Sequence, residues 1–469
     1  YFEFIDKNFG QFYNSMKKNG LTPDQAASAL TRSEDAIKEF TNGLDGFLNV
    51  VEEFWKNIGD VAYIHIEDLR ENIKGVFGGD LFPTASENLA SKCGIYTDTL
   101  ILPDPFLRTK HVFAVSPPER QAYYLIKHGL NILQYKELAC TKVDIPIVVI
   151  LPDKSALEEE ERDFNQKLGI QDALLHNKRI FGREFESVED LMGFAQSLDT
   201  IDKAISEIAD ESRVLFDVEW KGDVASQLNQ ALKSTDFKQF GVTSPGVLLA
   251  GSSIGRMSTS NELLIKSRRL GGIPIIDAPT SWKYLSWKLG YDAEKATSES
   301  NTEGLHITRG LNDLANTDMQ WLGKVPVDSL IEIRQQGAMD EIRSILGKGI
   351  DELVTSNPED FNLSQDVIFC NICEAFAEHQ KNINELSAKK WKFAGKDIGS
   401  WLVAGTIEVT AAATGMPFYG LATIAADQLL DIPKLKDIPK SIRELADETN
   451  KIKKSPVAML FNISKVKQK

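Results

Sequence analysis

Residues 398–426 form a long apolar run whose single charge is Glu408, placed just before a lysine-rich tail. A stretch of this length must cross a bilayer, fold back on itself inside a core, or be covered by a partner. Gly415-Met416-Pro417 interrupts it, and proline and glycine together favour a break into two short helices. Neither half spans a bilayer upright, and Glu408 is costly at its centre. The expectation is a buried helical hairpin, with partner docking or conditional membrane insertion as the alternatives.

Charge sharpens that choice. The chain carries 53 Lys and Arg against 68 Asp and Glu, a net charge of −15, which argues against a broad nucleic-acid surface because phosphate neutralisation needs clustered cations. Residues 431–469 run the other way, with ten basic and five acidic residues. Lys451, Lys453 and Lys454 in that tail suit an anionic membrane surface as well as a soluble amphipathic helix. Four cysteines in 469 residues do not make a disulfide framework, so a reducing compartment is expected: the cytoplasm, with peripheral membrane contact as the alternative.

The first segment, residues 1–88, reads as helical. Ser33 reads as an N-cap followed by Glu34 and Asp35, and Ile37, Phe40, Leu44, Phe47, Val51, Phe54 and Ile58 recur at alternating spacings of three and four. Bulky rings at these positions, with Gly43 and Gly46 between them, favour an intramolecular core over a coiled-coil seam. From about residue 89 to 308 short apolar runs alternate with amphipathic segments. Strands are expected near 99–102, 145–151, 213–218, 246–250 and 273–276, and helices near 119–138 and 260–270. Such alternation predicts an α/β body with a central, mostly parallel sheet flanked by helices. Residues 309–430 read as all-helical, with helices over 329–346 and from the cap Ser364 onward, ending in the apolar hairpin; 431–469 is a basic helical tail.

Three sets of residues suggest chemistry. Gly251-Ser252-Ser253-Ile254-Gly255, after the strand expected at 246–250, resembles the nucleophile elbow of the α/β-hydrolases, in which small residues let a sharp strand-to-helix turn present a serine. The resemblance implies Ser253 as nucleophile, with Asp277 and His306 following in the order acid, then base. It covers the pentapeptide and those two residues; Asp277 lies earlier than that family places its acid, and no HGGG-like oxyanion segment precedes the serine. The same loop, read without catalysis, offers the backbone amides of Gly251, Ser252 and Gly255 to an anion.

A second set, Asp98, Asp104, Asp144, Asp153 and Asp217, lies at expected strand ends, where a metal-dependent phosphoesterase or nuclease would gather carboxylates and where turns equally place aspartate. The third, Cys370-x-x-Cys373 with His379, lacks a second ligand pair and is expected on a buried helical face. No metal site and no cofactor are assigned, and Walker A and G-x-G-x-x-G sequences are absent. The functional expectation is an intracellular interaction or regulatory protein, with a ligand-sensing or degenerate α/β body and helical ends that bind a protein partner, a second copy or a membrane surface. A serine hydrolase or a metal-dependent phosphoesterase is the alternative.

Overall fold

A computed structural model describes residues 1–78, 89–234, 244–295, 302–316, 319–356, 361–388, 392–393, 396–397, 451–452 and 454–465. The apolar run 398–426 and Lys453 lie outside these residues. The chain divides into two compact units, Tyr1–Thr308 and Arg309–Lys469.

Four parallel strands form the sheet of the first unit: β1 (Lys74–Phe77), β2 (Thr99–Pro103), β3 (Val148–Leu151) and β4 (Gly272–Ile275), in the spatial order β3-β2-β1-β4. Nearly every residue of β1, β2 and β3 is buried, without alternation, because helices cover the sheet and leave no wet face. The expected α/β class with a parallel sheet flanked by helices is therefore found. The chain winds outward from β1 through β2 to β3, then returns to place β4 on the other side of β1. That reversal makes a topological switch point between β1 and β4, and in such sheets ligands bind beyond the carboxyl ends of the strands beside it.

Two of the expected strands are absent. Residues 213–218 are irregular apart from a short 3-10 turn, Glu211–Arg213. Residues 246–250 lie in a 26-residue central helix, Pro245–Leu270, which packs on β1 and β4. Ser244 caps it, its hydroxyl accepting from the Val247 amide, and Gly271 at φ +61° ends it. This helix is buried on all sides, so its apolar residues show no helical period and a short piece of it reads as a strand. It crosses the Glu159–Phe181 helix closely at Gly169, where a Cβ would lie 2.8 Å from the Ser258 backbone.

The N-terminal helices α1 (Phe2–Lys18), α2 (Pro23–Leu30) and α3 (Glu34–Asp68) belong to the same unit as the sheet. Ser33 caps α3 as expected. Phe47 is buried between Phe4, Phe9 and Phe106, while Phe40 packs on Phe9 and Phe12, and Phe54 on Tyr1 and Trp55, both half-buried. Those rings pack within the chain. Ile58, at the end of the same pattern, is exposed.

Helices dominate the described part of the second unit. The stretch expected as one helix over 329–346 is two, Val327–Gln335 and Met339–Gly347, separated by Gly337 at φ +65°. The Phe361–Ala388 helix starts before Ser364, which is buried inside it and is not its cap. Cys370 and Cys373 are exposed on that helix; its buried face is Ile368, Asn371, Ile372 and His379 instead. A two-residue pairing of Lys392–Phe393 with Lys396–Asp397 departs from the all-helical expectation. Among the described residues no helix is long and apolar enough to cross a membrane.

Candidate functional site

The carboxyl edge of the sheet collects buried charge. Each strand ends in a residue that turns the chain: Gly78 after β1, Asp104 after β2, Asp153 after β3 and Asp277 just beyond β4. Asp104 accepts from the amides of Phe106 and Leu107 at 2.9 Å and from the Trp55 indole at 2.8 Å. Burial pushes its carboxyl upward, and the hydroxyl of Tyr1 together with those donors pulls it back.

Asp153 is the best-paired carboxylate. Lys266, on the central helix, reaches it at 2.6 Å and also donates to the Leu151 carbonyl, while Arg108 approaches from the end of β2 at 3.3 Å. Burial alone would raise Asp153, but Lys266 and Arg108 outweigh it and hold the group below the usual carboxylate range. One turn before Lys266, Glu262 takes the hydroxyl of Ser155. Burial, reinforced by the charge of Asp153, drives Glu262 upward. Two neighbouring carboxyls thus have affinities for protons pushed in opposite directions, the arrangement by which sites separate an acid from a base. They line a cleft of about 20 Å³ with Tyr63, Asn165 and Arg269, room for about one water.

At the switch point itself, Lys92 and Asp277 form an ion pair of 2.7 Å. Lys92 is 3% exposed, on the short Leu89–Cys93 helix. Its neighbour Cys93 is pushed up to about 12 by burial and is therefore a thiol, unsuited to nucleophilic chemistry at neutral pH. Arg108 bridges the distance to β3: a Cβ added at Gly78 would stand 3.4 Å from its guanidinium. Lys92, Arg108 and Lys266, from three separate elements, therefore bring cations to one edge.

The residues singled out from the sequence are distributed differently. Ser253 lies inside the central helix, 1% exposed, its hydroxyl donating to the Ala250 carbonyl and accepting from Asn177 at 2.7 Å. Asp277 is bonded to Lys92, and His306 is buried in the Thr302–Asn316 helix. Neither Ser253 nor Asp277 bonds to His306. The strand-to-helix turn on which the elbow depends is missing, because the helix has already run for six residues at Gly251.

For the same reason the amides of Gly251, Ser252 and Gly255 are in the helix interior, where backbone hydrogen bonds consume them. The amides at the true helix start are also taken, Gly246 by the Leu198 carbonyl, Val247 by the Ser244 hydroxyl and Leu248 by the Ser244 carbonyl. Of the five aspartates, Asp104 and Asp153 sit at carboxyl ends. Asp98 precedes β2 and holds the Ile73 amide, Asp144 precedes β3 and is exposed, and Asp217 turns the chain at the Glu219 amide. Among the described residues no three His, Cys, Asp or Glu side chains are placed to hold a metal ion.

Lys92, Arg108, Glu262 and Lys266 were not marked by the sequence. Charged residues inside amphipathic segments read as solvated faces, and only the winding of the sheet brings these to one edge. No family model matches the chain, and no curated protein or solved structure is significantly similar to it.

Proposed function

We infer that this chain is an interaction or regulatory protein whose α/β body senses a small anionic ligand, a carboxylate or phosphate ester, at the carboxyl edge of its sheet. The observation that carries this reading is the strand order β3-β2-β1-β4, which puts Lys92 at the switch point between β1 and β4, while Arg108 and Lys266 meet at Asp153 after β3 on the same carboxyl edge. Cations buried at such an edge are favourable for an anion because the surrounding low dielectric strengthens their attraction. Their carboxylate partners Asp153 and Asp277 keep them in place before a ligand arrives, which limits the ordering cost of binding.

Catalysis by Ser253 has less support, since a hydroxyl bonded to Ala250 and Asn177 inside a helix has no access to a substrate carbonyl. The test is calorimetric titration with phosphate, pyrophosphate and di- and tricarboxylates, against potassium chloride of equal ionic strength. Saturable heat with at least one anion, weakened in Arg108→Gln, is expected. Heats no different from the chloride control would remove the ligand-sensing reading, and labelling of Ser253 by a fluorophosphonate would replace it with a hydrolase.

A further inference from the structure

We propose that the outer face of α3 is a docking surface for a basic amphipathic helix of a protein partner. The inner face of α3 is spent on the core through Leu44, Phe47, Val51, Trp55, Tyr63 and Ile66. The opposite face leaves Val50, Val61 and Ile64 exposed at 47%, 69% and 58%, with Ile58 at its border. With about 100° of turn per residue, Gly43, Gly46, Val50, Val61 and Ile64 fall within about 60° of one another, so they make one stripe, with exposed Asn57 as a polar position in it between Val50 and Val61. Scattered exposed aliphatics are ordinary; a row of them along a single helix face is the mark of a contact surface.

The two glycines belong to the same row. A Cβ added at Gly43 or Gly46 would meet nothing within 4 Å, so both open outward and leave a shallow trough for a second backbone. From Gly43 to Ile64 the stripe is about 32 Å long, the length of a helix of about 22 residues.

Charge selects the occupant. Glu39 and Asp68 lie at the two ends of the stripe, and Glu53 and Asp60 along one flank, all exposed and none ion-paired among the described residues. Of the two lysines on α3, Lys56 is engaged with Glu52, and Lys38 stands next to Glu39 at one end, so acidic residues still outnumber basic ones along the stripe. A second copy of this face would set acid against acid, and an anionic leaflet would be repelled in the same way. A helix with an apolar stripe flanked by Lys or Arg meets both requirements.

The experiment uses the full chain and 22-residue labelled peptides read by fluorescence anisotropy: a Leu/Lys amphipathic helix, its Leu/Glu counterpart, and a Leu/Lys peptide of the same composition without helical periodicity. Saturable binding of the amphipathic Leu/Lys peptide is expected, with affinity about tenfold weaker in the double variant Val61→Ser, Ile64→Ser. Val115→Ser, an equally exposed valine elsewhere, should leave it unchanged. The proposal is overturned if the Leu/Glu or non-periodic peptide binds as well, or if the double variant binds like the parent. It is equally overturned if the double variant abolishes a concentration-dependent dimer, which assigns the face to a second copy, or abolishes flotation with anionic vesicles, which assigns it to lipid.

Discussion

The indole Nε1 of Trp55 donates to Asp104 Oδ2 at 2.8 Å, fastening the middle of α3 to the carboxyl end of β2. Eight residues on, the Tyr63 hydroxyl donates to the Pro152 carbonyl at 2.7 Å, fastening the same helix to the end of β3. The inner face of α3 is therefore a wall of the sheet's charged edge. Replacing Trp55 by Phe keeps an aromatic body but removes the donor from a buried carboxyl. Urea denaturation should show a loss of about 1–3 kcal/mol; a loss below about 0.5 kcal/mol would mean that Asp104 is satisfied without the indole.

The Asp153–Lys266 pair makes a second prediction. Lys266→Met leaves a buried carboxylate sharing only Arg108, and should cost about 3–5 kcal/mol. The double variant Lys266→Met, Asp153→Leu should recover much of that loss, because removing both charges also removes their desolvation cost. A double variant no more stable than Lys266→Met alone would show that Asp153 matters through the shape of its turn rather than through charge. The folded-state affinity of Asp153 for protons is lowered, so its contribution is present above the unfolded carboxylate range near pH 4 and is lost as the pH falls below it.

Acid sensitivity begins earlier than that, at two buried histidines. Burial holds both His128 and His176 down at about 3, with Lys127 adding to the effect at His128. The unfolded chain protonates both near pH 6.5 while the folded chain does not until about pH 3. Stability that is complete above pH 6.5 should therefore fall across the window from pH 6.5 to 3, by up to about 1.4 kcal/mol per pH unit for each histidine. His128→Leu should flatten that slope by the share of one histidine, at modest cost at pH 7 because His128 Nε2 has no hydrogen-bond partner among the described residues. An unchanged slope in His128→Leu would place the acid sensitivity elsewhere.

Three of the four sheet strands could be read from the sequence because they are short β-branched or aliphatic runs ended by Pro-Asp or Asp: β2, β3 and β4. Lys74-Gly75-Val76-Phe77 does not read as a strand, since a glycine and a lysine dilute the pattern in a segment of four residues. That lysine is buried, its ammonium donating to the Ile66 carbonyl at 3.0 Å, a tertiary solution that no local rule foretells. Missing β1 also hid the switch point and with it the site. The false strand at 246–250 had a visible remedy: Ser244-Pro245 is a helix start and Gly271 a helix end, and giving those caps more weight than the apolar run would have placed Ser253 inside a helix.

The aromatic pattern of α3 supports a stability prediction with less ambiguity. Phe47 touches Phe106 at a centroid distance of 4.8 Å and Phe4 at 5.1 Å, linking α3 to α1 and to the turn after β2. Phe47→Ala should cost about 3–5 kcal/mol in chemical denaturation, through lost burial and the cavity left behind. A melting temperature that instead rose steeply with protein concentration would point to an oligomeric seam.

Two glycines of the central helix distinguish a helix from a nucleophile elbow. An added Cβ at Gly251 meets nothing within 4 Å, so Gly251→Ala should stabilise the protein by up to about 1 kcal/mol through helix propensity alone. At Gly246 the same atom would run into the Ala195 carbonyl oxygen and stand 2.6 Å from the Leu198 Cβ. Gly246→Ala must push the Val188–Ser197 helix away and should destabilise by about 1–3 kcal/mol. In a sharp strand-to-helix turn the order would be reversed at residue 251, because alanine there would crowd the bend. Thermal melts of the two variants against the parent decide the matter, and a destabilised Gly251→Ala would restore the turn and, with it, the case for Ser253.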